Sequence, residues 1–123
     1  MNNSGPGYAQ DPKHKITVTH PDEACEIIWR GLTIARSSKV LLLTEADYPP
    51  VNYFPRQDVN MDVLIKTKQK SYCPFKGYAV YWTIRHEGST VKNVAWSYEA
   101  PYDEVSVIKN HIAFYEQKLI EGE

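Results

Sequence analysis

The residues best suited to chemistry fall in one short stretch, Ser71-Tyr72-Cys73-Pro74-Phe75-Lys76-Gly77. Cys73 supplies a thiol. Lys76, three residues on, supplies a cation that would stabilise a thiolate placed near it. A free thiol with a pKa of about 8.5 is little ionised at neutral pH, so a nucleophilic Cys73 needs such help. Its competing role is that of a small buried apolar residue ahead of Pro74. Lys76-Gly77 suits binding as well, because lysine is rarely buried without a partner and glycine permits a sharp turn that aims amides inward. An anionic ligand group would satisfy Lys76, and so would a salt bridge to Asp58 or Glu99.

A second set of residues offers walls and anchors for a ligand. Trp96 and Tyr98 alternate along one segment, and with Tyr53 they could line a cleft by stacking and cation–π contact, worth about 0.5–2 kcal/mol each. Core packing is the alternative use of the same rings. Arg56 and Asp58 supply polar anchors. Asp62, one helical turn beyond Asp58, could complete a carboxylate pair for a divalent ion, although helix capping explains Asp58 more simply. His14, His20, His86 and His111 show no metal-ligand spacing, so neither metal nor cofactor is expected.

These groups sit in a chain of 123 residues, enough for one domain with its own core. The 42% apolar and 24% charged fractions are those of an ordinary globule, and the net charge of −1 gives no field for nucleic acid or an anionic membrane. No apolar run approaches the roughly 20 residues of a membrane helix. Residues 1–14 are polar and rich in Gly, Pro and Asn, without the order of a signal peptide. They read as a disordered tail on a cytoplasmic protein. Cys25 and Cys73 do not form a C-x-x-C pair. Both read as reduced thiols, and a disulfide between them depends on a distance that the sequence does not state.

The elements that must position the site are short and β-like. Ile16 and Val18 alternate with polar residues, and His20 to Glu23 reads as a turn. Glu26–Trp29 and Leu32–Ala35 predict a hairpin closed at Arg30-Gly31, and Lys39–Leu43 a buried strand. Tyr48-Pro49-Pro50 must interrupt the ladder before Val51–Phe54 resumes it. Asp58 is expected to cap a short helix over Val59–Ile65 with Leu64 facing inward, and Lys66–Lys70 to form a solvated connector. Tyr78–His86 is the clearest strand, with Val91–Tyr98 as its partner and Val94, Trp96 and Tyr98 on one face. Tyr102–Asn110 is expected to hold a helical turn or two, and Ile112–Leu119 a last strand. The sum is a mainly β domain over residues 15–119, two antiparallel sheets or a partly open barrel with one or two short helices. Residues 120–123 are left as a tail.

Several of these segments, taken in order, carry a family pattern: Tyr53-Phe54-Pro55-Arg56-Gln57-Asp58-Val59, Cys73-Pro74-Phe75-Lys76-Gly77-Tyr78-Ala79-Val80-Tyr81-Trp82, Ala95-Trp96-Ser97-Tyr98-Glu99-Ala100-Pro101 and Ala113-Phe114-Tyr115. The chain resembles domain-of-unknown-function family 427 from about Ile16 to Tyr115. The resemblance implies an Mss4-like, β-tent architecture with a pocket between two leaning sheets. It also brings a nucleotidyltransferase label without a known reaction. Zinc-bearing proteins of that architecture hold the ion with paired C-x-x-C motifs, and this chain has none.

Three readings follow. The first is a domain that binds an unknown small molecule, anionic or aromatic, with Tyr53, Trp96 and Tyr98 as walls and Arg56, Asp58 and Lys76 as anchors. The second is an enzyme that uses Cys73 and Lys76, through thiol chemistry or the labelled reaction. The third is a protein-interaction module, open to homodimer formation through exposed Tyr and Trp.

Overall fold

In the computed structural model, which describes residues 3–123, strands dominate, as the alternation predicts. The elements are α1 (Gly7–Gln10), β1 (Ile16–Thr19), β2 (Cys25–Trp29), β3 (Leu32–Ser37), β4 (Leu41–Glu45), β5 (Val51–Pro55), β6 (Leu64–Cys73), β7 (Gly77–His86), β8 (Ser89–Tyr98), β9 (His111–Phe114) and α2 (Glu116–Glu121). Three 3₁₀ segments, Arg56–Asp58, Met61–Val63 and Asp103–Ile108, join them. Seven strands form one antiparallel sheet in the order β1-β4-β5-β9-β8-β7-β6, and β2 with β3 forms a second, two-stranded sheet. The outer strands β1 and β6 do not pair, so the large sheet is not closed into a barrel. The β2–β3 turn is made as expected, with Arg30 at φ 51° and Gly31 at φ 79°, the left-handed pair that a two-residue hairpin needs.

Alternation along the central strands feeds two cores, one on each face of the large sheet. Phe54, Ile84, Ile112 and Phe114 point with Trp82 toward the small sheet, where Ile27, Trp29 and Ile34 meet them. Their chain neighbours Tyr53 and Ala113 join Tyr98, Leu41, Leu43, Val105 and Ile108 in the other core. A strand buried on both sides thus presents Tyr53 and Phe54, adjacent in sequence, to different clusters. Asn93, at φ 51°, interrupts the ladder within β8. Val94 therefore packs in the first core instead of sharing a face with Trp96 and Tyr98.

Four local expectations are corrected. No helix covers Val59–Ile65; two 3₁₀ turns stand there, and Leu64, buried as expected, opens β6. Val59 bridges to Ala35, because a β-branched residue beside a strand gains more from pairing than from a turn of helix. Lys66–Lys70 belongs to β6, with a bulge between Lys66 and Lys70, and its lysines face water on an edge strand, where charge blocks further pairing. The last strand stops at Phe114. Glu116 to Glu121 are good helix formers with Leu119 on the buried side, and they wind into α2 beyond the expected boundary at Leu119.

The fourth correction concerns the expected N-terminal tail. Its first two residues, Met1 and Asn2, lie outside the described residues; Asn3 to His14 pack against the body. Asn3 exchanges hydrogen bonds with Asp103, and the Gly5 amide donates to Glu104 at 2.9 Å. The Gly7 amide donates to the Pro74 carbonyl at 3.0 Å, so close in that a Cβ on Gly7 would lie 2.7 Å from the Phe75 ring. A polar segment without periodicity is thus ordered by backbone and side-chain hydrogen bonds to distant residues, which its own composition does not register.

Candidate functional site

The Cys73–Gly77 stretch is the hairpin turn between β6 and β7, with Cys73 opposite Gly77 in register. The Lys76 amide donates to the Cys73 carbonyl at 3.2 Å, and Gly77 closes the turn at φ 115°. A Cβ there would meet the Ala100 carbonyl at 3.3 Å, so glycine is required by both conformation and space. This turn forms one end of a cleft of roughly 800 Å³. Tyr48, Pro49 and Pro50 from the β4–β5 loop form another side, and Phe114, Tyr115 and the start of α2 close it. Trp96 lies in the wall, its indole centroid 4.3 Å from the Tyr115 ring.

The polar end of the cleft is built from three polar side chains far apart in sequence. Lys76 donates to Glu45 Oε1, and His14 Nε2 lies 2.8 Å from Glu45 Oε2. All three are mostly buried, with side chains 13%, 11% and 12% exposed for Lys76, Glu45 and His14. His14 also stacks on Phe75, ring centroids 3.7 Å apart at 15°. Burial pushes the Glu45 carboxyl up. The hydrogen bonds from Lys76 and His14, with their charges, outweigh this and hold it below the usual carboxylate range.

Three of the seven site residues expected from sequence meet here: Cys73, half-buried, with Lys76 and Trp96. Tyr53 lies beneath the wall instead of in it. It is 2% exposed, its hydroxyl accepts from the Trp96 indole at 3.3 Å, and burial drives its phenol well above the ordinary value. Tyr98 is also a core residue, buried and with its phenol pushed far up by that burial. Arg56 borders a separate groove with Lys39 and Lys109, and its guanidinium lies 3.5 Å from Glu99 and over the Trp82 ring. Asp58 accepts from Ser37 Oγ at 2.6 Å.

Lys76 therefore takes neither of its expected partners; Glu99 is held by Lys66 and Arg56. Glu45 and His14 are the site residues that sequence reading misses. A signal for Glu45 existed: it continues the inward alternation of Leu41 and Leu43, and a carboxylate in an inward register position needs a buried cation. For His14 no local signal exists.

The fold and cleft define a small mainly β domain whose open antiparallel sheet carries one aromatic-walled cleft with a buried ion pair at its end. The chain belongs to the domain of unknown function family DUF427, whose family model matches residues 17–122. Among curated proteins none matches the chain. His14 falls just outside the matched span, although it supplies part of the cleft. No helix among the described residues is long and apolar enough to cross a membrane.

Proposed function

We propose that this domain binds a small organic molecule in the cleft between the β6–β7 turn and α2, with Lys76 as its polar anchor. The observation that carries this reading is the meeting of Cys73, Lys76 and Trp96 in a cleft of roughly 800 Å³, walled by aromatic and proline side chains and ended by a buried charged cluster. Few convergent polar groups in a mainly apolar recess are the usual make-up of a ligand site. The pocket-bearing architecture that the family resemblance implies is consistent with it. Arg56 and Asp58 play no part in this reading, since their contacts lie elsewhere.

A ligand at 100 times its Kd stabilises the fold by about 2.7 kcal/mol, so a thermal-shift screen of nucleosides, nucleotides and organic acids tests the proposal. Hits should lose binding in Trp96→Ala and keep it in Arg56→Ala. A screen without stabilisation, or hits that respond to Arg56 and not to Trp96, would place the function elsewhere.

A second reading rests on Cys73, which lines the same cleft. Thiol chemistry requires activation, yet the nearby cation is turned to Glu45. Alkylation rate against pH tests this reading: a midpoint at or above that of a free thiol rules out activation of Cys73 by Lys76.

A further inference from the structure

The hydrogen-bonding capacity left at the polar end of the cleft narrows the ligand class, and this inference rests on the binding reading above. Glu45 has a protein donor on each oxygen, Lys76 on one and His14 on the other, and the Lys76 charge matches its own. The Lys76 ammonium carries three N–H donors and gives one to Glu45; among the described residues nothing else accepts from it. Glu45 keeps a second lone pair on each oxygen, but its charge is already matched by Lys76. The spare capacity not already tied to an opposite charge is therefore the two remaining N–H groups of Lys76.

An incoming ammonium would meet a carboxylate already in use and a like charge beside it, which disfavours it. An incoming acceptor finds free N–H groups. The other charges on the lining, Glu116 and Lys118, cancel one another, and Asp11, 3.9 Å from His14 Nδ1, is exposed. Lys76 and Glu45 cancel, so the cluster carries at most the single positive charge that a protonated His14 adds, which favours a ligand with no more than one negative charge. The flat rings of Phe75, Trp96 and Tyr115 ask for a planar body.

We propose that the cleft takes a planar aromatic or conjugated monocarboxylic acid, its carboxylate on Lys76 and its ring against Trp96 and Tyr115. The test titrates the full chain with probes that share one ring: 2-naphthoate, 2-naphthamide and 2-naphthylmethylamine, followed by calorimetry or ligand-observed NMR. The acid should bind at least tenfold tighter than the amine, with the amide between. In Lys76→Met the acid should fall to the affinity of the amide or below it, since the Glu45 charge is then unmatched, while the amide loses less than the acid. Lys76→Arg should restore the preference, which separates loss of the donor from a damaged fold. The same ring bearing a phosphate should bind no tighter than the carboxylate; tighter binding overturns the single-charge match. Amine binding as strong as that of the acid, with the ring still bound, overturns this inference alone. Failure of every probe to bind overturns the cleft reading together with it.

Discussion

Replacing Glu45 by leucine isolates the energy of the charged cluster. The substitution leaves the Lys76 ammonium and the His14 ring without their acceptor, in side chains only 13% and 12% exposed. Breaking a fully buried pair costs about 3–5 kcal/mol, and each charge-assisted hydrogen bond contributes about 1.5–3 kcal/mol. The cluster ends an open cleft, so water can reach the freed ammonium, and the loss should lie below the fully buried range, about 2 kcal/mol. At an unfolding entropy of about 2.1 cal/mol/K per residue, that lowers Tm by about 8 °C.

Lys76→Met leaves Glu45 with His14 alone and should cost about 1–2 kcal/mol. The double variant Glu45→Leu/Lys76→Met removes both charges and should return to within about 1 kcal/mol of wild type. Urea unfolding of the four proteins, at unchanged m, reads the coupling directly, and about 2 kcal/mol is expected. The pH dependence carries a definite sign. The folded-state pKa of Glu45 lies below its unfolded value, so its contribution is complete above the ordinary carboxylate range, near pH 4.3. It fades as the pH falls through the depressed folded value. The gap between wild type and Glu45→Leu should therefore narrow in acid. Single variants within about 0.5 kcal/mol of wild type, or a coupling near zero, would refute the buried cluster as described.

Other positions give equally direct outcomes. Gly77→Ala places a side chain at φ 115° and 3.3 Å from the Ala100 carbonyl, so a loss of about 1–2 kcal/mol in chemical denaturation is expected; a neutral result would mean that the β6–β7 turn adopts another form. Trp82→Phe removes the indole donor that reaches the buried Ser97 hydroxyl at 3.1 Å, at a cost of about 1–3 kcal/mol on the same scale, and pairing it with Ser97→Ala should recover part of that loss. Gly7→Ala drives a methyl group into the Phe75 ring and should lift the N-terminal segment, read as faster alkylation of Cys73 at little cost in Tm; an unchanged rate would mean that the segment does not shield the turn. In a spectrophotometric titration, Tyr53 and Tyr98 should stay protonated through the ordinary phenol range, because burial raises both, and phenolate formation by all nine tyrosines near pH 10 would contradict their place in the core.

How much was legible depends on the distance over which each feature is decided. The β2–β3 hairpin was readable because Arg30-Gly31 and its flanking alternation fix the turn within a few residues. The strands around Pro49-Pro50 and along Tyr78–His86 were readable for the same reason. The stretch over Val59–Ile65 was misread because its outcome depends on Ala35, which offers Val59 a strand partner. Tyr53 and Tyr98 were misread as cleft walls because alternation assigns a residue to a face, while only packing tells whether that face is open. On a sheet with two covered faces, most of the positions are closed.

By itself the sequence determined a mainly β domain, its family, and the turn that carries Cys73, Lys76 and Gly77, all of which follow from local alternation and turn chemistry. Only the tertiary structure decided what Lys76 does. Its partner Glu45 lies 31 residues away, and the third member, His14, lies a further 31 residues back in a segment with no pattern of its own. An ion pair of that kind is selected by the loss of water around charges that folding brings together. No local rule carries that information, so the chemistry of the cleft appears only once β4, the β6–β7 turn and the N-terminal segment share one space.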